Sequence, residues 1–80
     1  MMEEVQVAKV VDARGSFCPG PLMALLGAVR QQSVGDVIAL YSSDTGSRTE
    51  IPLWVRKAKH ELIAVRQHHG YDEFLVRKMR

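Results

Sequence analysis

The chain has 80 residues, 46% of them apolar, with 11 Lys and Arg against 9 Asp and Glu for a formal net charge of +2. That composition excludes a disordered chain and describes one small folded domain over residues 1–80. A single cysteine excludes an internal disulfide and dithiol redox chemistry, and it fits a reducing, cytoplasmic compartment. The acidic start Met1-Met2-Glu3-Glu4 is unlike a signal peptide, and residues 1–4 are expected to fray. No apolar run reaches transmembrane length, so no membrane partner is expected.

The valine-rich run 5–11 reads as a first strand. Asp12 to Phe17 is a loop leading to Cys18. Leu22, Leu25, Leu26 and Val29 then recur at helical spacing, which predicts a helix from about Pro19 to Gln32 with these four in the core. Gly27 weakens that helix, and close packing against a sheet would account for it. After the turn Ser33-Val34-Gly35-Asp36, residues 37–42 are almost wholly apolar, as in a central strand covered by helices. Ile51, Trp54, Val55 and Ala58 repeat the helical pattern, which predicts a second helix over roughly 48–59. Pro52 requires that helix either to start near Thr49, with Thr49 as N-cap, or to start earlier and bend. Residues 61–67 and 73–78 read as two further strands, joined as a hairpin through Gly70-Tyr71-Asp72.

The order is β-α-β-α-β-β. It predicts an α/β (α+β) two-layer sandwich: a four-stranded mixed sheet with two helices on one face. The other face of the sheet is expected to be more polar, or covered by a partner.

Cys18 stands in Cys18-Pro19-Gly20-Pro21, at the expected start of the first helix. Proline suits a first helical turn because its missing N–H has no partner there. Free N–H groups and the positive end of the helix dipole would then face the sulfur and make the thiol more acidic. Gly15, Ser16, Pro19 and Gly20 around it describe an exposed turn, which favours a reactive thiol over a buried, inert one. The three histidines, His60, His68 and His69, lie far from Cys18 in sequence and read as surface or capping residues rather than a base for hydrolysis. They also lack ligand spacing with one cysteine, so no metal site and no cofactor are expected. Group carriage by one thiol remains.

Val11-Asp12-Ala13-Arg14-Gly15-Ser16-Phe17-Cys18-Pro19-Gly20-Pro21-Leu22-Met23 resembles the signature of the TusA (SirA-like) sulfur-carrier family, with its Cys-Pro-x-Pro motif. Ser43-Asp44, then Glu50-Ile51-Pro52 and Trp54, are similar to the family's acidic loop and second helix. His60-Glu61-Leu62 is similar to its entry into the third strand. The likeness spans about residues 9–78. It implies the same sandwich, and a relay that receives sulfane sulfur as a persulfide and hands it on, rather than a stand-alone enzyme. It implies a sulfur-donor protein (a cysteine desulfurase or rhodanese-like protein) and a sulfur-acceptor protein as partners, in tRNA thiolation, molybdenum-cofactor chemistry or sulfur oxidation.

By position, Cys18 is then the persulfide site and Pro19 and Pro21 shape its turn. Arg14, Gly15, Gly20 and Asp44 complete the motif, with Arg14 a candidate to favour anionic sulfur. The chain departs from the pattern at Gly20 and Lys59, where some members are acidic, at Thr45, where proline is frequent, and at Glu50, which replaces aspartate. These departures bear on partner choice. Two alternatives stay open: a thiosulfonate cargo, and a non-catalytic regulatory or nucleic-acid-binding module using Arg56, Lys57, Lys59, Arg77, Lys78 and Arg80. The missing aromatic-rich basic stripe counts against direct nucleic-acid binding.

Overall fold

The structure, a computed structural model, describes residues 6–80. The expected fraying of residues 1–4 and the expected strand start at Val5 lie outside the described residues. Six elements follow: β1 Val7–Asp12, α1 Gly20–Gln31, β2 Val37–Ser42, α2 Ser47–Lys57, β3 Glu61–His68 and β4 Tyr71–Arg77. They form the four-stranded mixed sheet anticipated from the sequence, in the order β1-β2-β4-β3. The α1 crossover returns the chain beside β1, so β2 runs parallel to it. The α2 crossover does not make neighbours: β4 is inserted between β2 and β3 and runs antiparallel to both.

Side chains alternate across the sheet, and each face builds its own cluster. Ile38, Leu40, Phe74 and Val76 meet Leu25, Ala28 and Val29 of α1 and Ile51 and Val55 of α2. Val37, Ala39 and Leu75 gather on the opposite face with Tyr41, Ile63 and Ala64. Leu25, Ile38, Leu40, Ile51 and Phe74 are fully buried, and each such side chain contributes about 1.5–3 kcal/mol relative to exposure. The helix layer therefore fixes where the two crossover loops emerge, at the C-terminal ends of β1 and β2.

Four expectations need correction. In α1 the buried stripe is Pro21, Leu25, Ala28 and Val29, while Leu22 and Leu26 are only half-buried. The helix is rotated so that its small residue Ala28 meets the sheet. Gly27 does not pack closely at all: it is exposed, and a Cβ there would meet nothing within 4 Å. In α2 the earlier start holds, at Ser47 after Gly46, and Pro52 lies inside the helix. Thr49 is not its cap. Finally, the β3–β4 turn is His69-Gly70, with Gly70 at φ 88°, so Tyr71 and Asp72 belong to β4. A two-residue hairpin turn needs such a positive φ, which glycine supplies without steric cost.

Candidate functional site

Cys18 sits at the end of the loop between β1 and α1, exposed to solvent. The loop leaves the sheet in register, because the Ala13 N–H donates to the Tyr41 carbonyl at 2.9 Å and prolongs the parallel ladder. It turns at Arg14-Gly15, where Gly15 has φ 87° and Ser16 N–H returns to the Ala13 carbonyl at 3.1 Å. Two contacts from the β2–α2 loop then hold it. Gly15 N–H donates to Ser43 Oγ at 2.9 Å. Cys18 N–H donates to Asp44 Oδ2 at 2.8 Å.

Asp44 is itself braced. Its Oδ1 accepts from Gly46 N–H at 3.3 Å, and its own N–H donates to Ser42 Oγ at 3.2 Å. Ser42 Oγ lies 2.8 Å from Ser47 Oγ in a buried hydroxyl pair. Asp44 is thus a mechanical support for the cysteine backbone, a role that its match to the family's acidic loop did not specify. Gly20 belongs to the same construction, since a Cβ there would stand 3.1 Å from Ser16 Cβ. Pro19 is the N-cap of α1, reached through a cis Cys18–Pro19 peptide bond, and Pro21 is buried in the first turn.

The electrostatics reverse the sequence expectation for the thiol. Cys18 has its pKa raised, first by partial loss of hydration, then by the Glu50 charge and then by Asp44. The helix start has few donors to offer the sulfur. Gly20 N–H is taken by the Phe17 carbonyl at 2.6 Å, and Pro21 has no N–H to offer. Cys18 also precedes the cap instead of being the cap. No histidine and no arginine is among the groups that shift it.

Arg14, the residue expected to favour anionic sulfur, faces elsewhere. Its guanidinium donates to both oxygens of Asp12, from Nε at 2.9 Å and Nη2 at 2.7 Å. It lies over the Tyr71 ring at 4.8 Å and the Tyr41 ring at 5.6 Å. Tyr41 packs on the sheet face that carries no helix, so Arg14 belongs to that face. His68 stacks on Tyr71 there at 4.8 Å and pairs with Glu73 at 2.8 Å. The fork between Asp12 and Arg14 lowers the Asp12 pKa to about 2.

On the helix side, apolar surface adjoins the thiol. Phe17 is 80% exposed and Met23 63% exposed. Leu22, Leu53 and Trp54 line a shallow cleft of about 150 Å³ between α1 and α2, with Glu50 and Lys57 at its rim. Glu50 thus lines the cleft and is also one of the two carboxylates whose charge acts on Cys18. In the sequence it stands only as part of the second-helix motif, departing from aspartate, because its effect on the thiol depends on how α2 sits in the fold.

The other chemistry-bearing residues are placed apart. His60 accepts from Met79 N–H at 3.1 Å on Nδ1 and packs on Trp54. Lys78 Nζ donates to the carbonyls of Val29 and Gln32 at 2.8 and 2.7 Å, closing the C-terminal end of α1. Arg77 pairs with Glu61 at 3.1 Å. Arg77 and Lys78 of the C-terminal basic cluster are therefore engaged within the fold. Among the described residues no three His, Cys, Asp or Glu side chains converge as a metal site, and no helix is long and apolar enough to cross a membrane.

An α+β sandwich that fastens one exposed cysteine between its two crossover loops defines a class of small cysteine-presenting domains. The chain belongs to the TusA (SirA-like) family: residues 9–78 match the family model described as Sulfurtransferase TusA. It is 48% identical over 71 residues to a protein of Archaeoglobus fulgidus provisionally named a sulfur carrier protein, covering 89% of this chain and 97% of that one. It is 32% identical over 77 residues to Sulfur carrier protein TusA of Pseudomonas savastanoi pv. phaseolicola, covering 96% and 92%. The fold is shared with the crystal structure of a SirA-like protein from Desulfitobacterium hafniense, at TM-score 0.77 and 18% identity over 90% of this chain and 99% of that one.

Proposed function

We propose that this protein is a sulfur carrier that relays sulfane sulfur as a persulfide on Cys18 between a donor protein and an acceptor protein. The observation that carries the reading is an exposed single cysteine, flanked by exposed Phe17 and Met23, on a loop fastened behind it by Asp44. Family membership and the names of the relatives agree with it.

The chemistry is a sulfur exchange analogous to thiol–disulfide exchange. The Cys18 thiolate attacks the terminal sulfur of a donor persulfide. An S–S bond forms to Cys18, the donor's S–S bond breaks, and its electron pair leaves on the donor thiolate. In the second exchange the acceptor's thiolate attacks the terminal sulfur now on Cys18, and Cys18 thiolate is released. Neither step needs a cofactor, and neither changes the total of S–S bonds. With no second cysteine in the chain, no internal thiol intercepts the persulfide. Partners must come to the sulfur, because Cys18 lies on an open surface and not in an enclosed pocket.

Asp44 and Glu50 are the two carboxylates whose charge acts on Cys18, and the mass of the added group distinguishes a single sulfur atom from a thiosulfonate. The test is incubation with a cysteine desulfurase and cysteine, or separately with thiosulfate or tetrathionate, followed by intact mass measurement. One added sulfur on wild type and none on Cys18→Ser is expected. Equal labelling of both proteins, or addition of a sulfonate-bearing group alone, would sink the reading.

A further inference from the structure

Asp72 is a buried carboxylate outside the cysteine loop. It is the second residue of β4, directly across from Ser42 of β2 and Gln67 of β3. Its side chain is 5% exposed. Oδ2 accepts from Arg48 Nε at 2.7 Å, while Oδ1 is buried without a hydrogen-bond partner. Arg48 itself is 56% exposed. A buried carboxylate with one empty oxygen and a solvent-screened partner is a costly arrangement, and an apolar or neutral residue would serve stability alone at least as well.

What the pair does is geometric. Arg48 is the second residue of α2, and Ser47 before it is tied to Ser42. The first turn of α2 is therefore pinned to adjacent positions on β4 and β2. That turn begins where the Asp44 segment ends: Ser47 N–H donates to the Asp44 carbonyl at 3.1 Å and Gly46 N–H to Asp44 Oδ1 at 3.3 Å. Asp44 then holds Cys18 N–H, and Ser43 holds Gly15 N–H. Glu50, the residue whose charge acts most strongly on the thiol, rides on the same turn. The links are contiguous from β4 to the sulfur-bearing loop.

We propose that Asp72 is a positioning residue for Cys18, acting through Arg48 and the first turn of α2 to fix the Ser43-Asp44 segment that carries the cysteine backbone. The inference takes its meaning from the carrier reading above, but its test does not depend on sulfur being carried.

The test is amide hydrogen exchange at Gly15 and Cys18, with Ile38 and Leu75 in the central strands as internal references. Arg48→Gln is the main variant, because it removes the pair from the exposed side and leaves the buried residue in place. Gly15 and Cys18 are expected to exchange about tenfold faster than in wild type, with Ile38 and Leu75 unchanged. Arg48→Lys, which keeps a cation within reach of Asp72, is expected to restore most of the protection. Sulfur uptake by Cys18 from a persulfide donor is expected to slow in Arg48→Gln and recover in Arg48→Lys. Asp72→Asn should match Arg48→Gln in the loop amides where it folds; where it does not, the two Arg48 variants decide.

Wild-type exchange at Gly15 and Cys18 in Arg48→Gln overturns the proposal. So does acceleration of all four amides together, which is the signature of a merely structural pair. Failure of the wild-type protein to take up sulfur overturns the carrier reading instead, and leaves the exchange result standing.

Discussion

The carboxylate of Asp44 receives the backbone N–H of Cys18 at 2.8 Å, so the residue that steadies the cysteine is also one that opposes its ionisation. The sequence spacing offered only a helix terminus, which would have assisted ionisation. Loss of hydration and the Glu50 charge act in the same direction as Asp44. For an acid that is anionic when deprotonated, these effects raise the pKa, and the thiolate fraction at neutral pH falls below that of a free thiol. Alkylation of Cys18 by iodoacetamide is expected to keep rising with pH beyond the range where a free cysteine levels off. Glu50→Gln should speed the reaction at pH 7 by about two- to threefold without altering the high-pH plateau. A rate profile for the two proteins over the alkaline range checks both points.

Asp12 provides a second titration. Its folded-state pKa is depressed to about 2 from an ordinary 3.8, first by the side-chain hydrogen bond from Arg14. A depressed carboxylate contributes stability that is present above its unfolded value and lost as pH falls through its folded value. The window is therefore between the ordinary carboxylate range and about 2. Carboxyl NMR should show Asp12 titrating near 2 in wild type and close to the usual range in Arg14→Gln. The thiol titration of Cys18 should be unmoved by that substitution, since Arg14 is not among the groups acting on it.

The exposed, uncrowded Gly27 in the interior of α1 gives a stability prediction with a definite sign. Nothing within 4 Å opposes a new methyl group there. Gly27→Ala is expected to stabilise the fold by about 0.5–1 kcal/mol through helix propensity and a less flexible unfolded chain. Urea unfolding with an unchanged slope and a raised midpoint is the measurement.

Lys59 gives the mirror case. It has φ 63° just past α2, where His60 N–H reaches the Val55 carbonyl at 3.0 Å and Lys59 N–H the Arg56 carbonyl at 3.1 Å. That is a Schellman helix end with a lysine at the position glycine usually holds. Lys59→Gly should raise stability by about 0.5–1 kcal/mol in the same assay, because the left-handed conformation penalises a Cβ. An equal loss on substitution would mean that the lysine stem packs favourably on the surface.

How much of this the chain revealed beforehand follows from the range of each signal. The β-α-β-α-β-β order was legible because apolar spacing changes period cleanly between segments, and the Cys18 loop was legible because its motif is local. The hairpin was misplaced because Tyr71 and Asp72, read as turn residues, are held in β4 by pairing with His68 and Gln67. The start of α2 was ambiguous because Ser47 turns its hydroxyl inward to Ser42 instead of capping the helix. The direction of the Cys18 pKa shift was misjudged because its causes are tertiary: loss of hydration first, then the charge of Glu50 on α2 and that of Asp44 on the other crossover loop. Arg14 was misassigned for a related reason: the rings that hold it belong to β2 and β4, well away in sequence.

The carboxylates beside Cys18 also govern what happens between deliveries. A protonated thiol reacts slowly with peroxides and stray electrophiles, since oxidative damage tracks thiolate character and exposure. An empty carrier of this design is less prone to such damage than one with an unshifted thiol, although its sulfur lies in the open. Its reactivity then rises when a docking protein sets a cation against Glu50. The same acidity that slows the isolated molecule would thereby let it wait undamaged, and reserve its one sulfur atom for a partner able to relieve that charge.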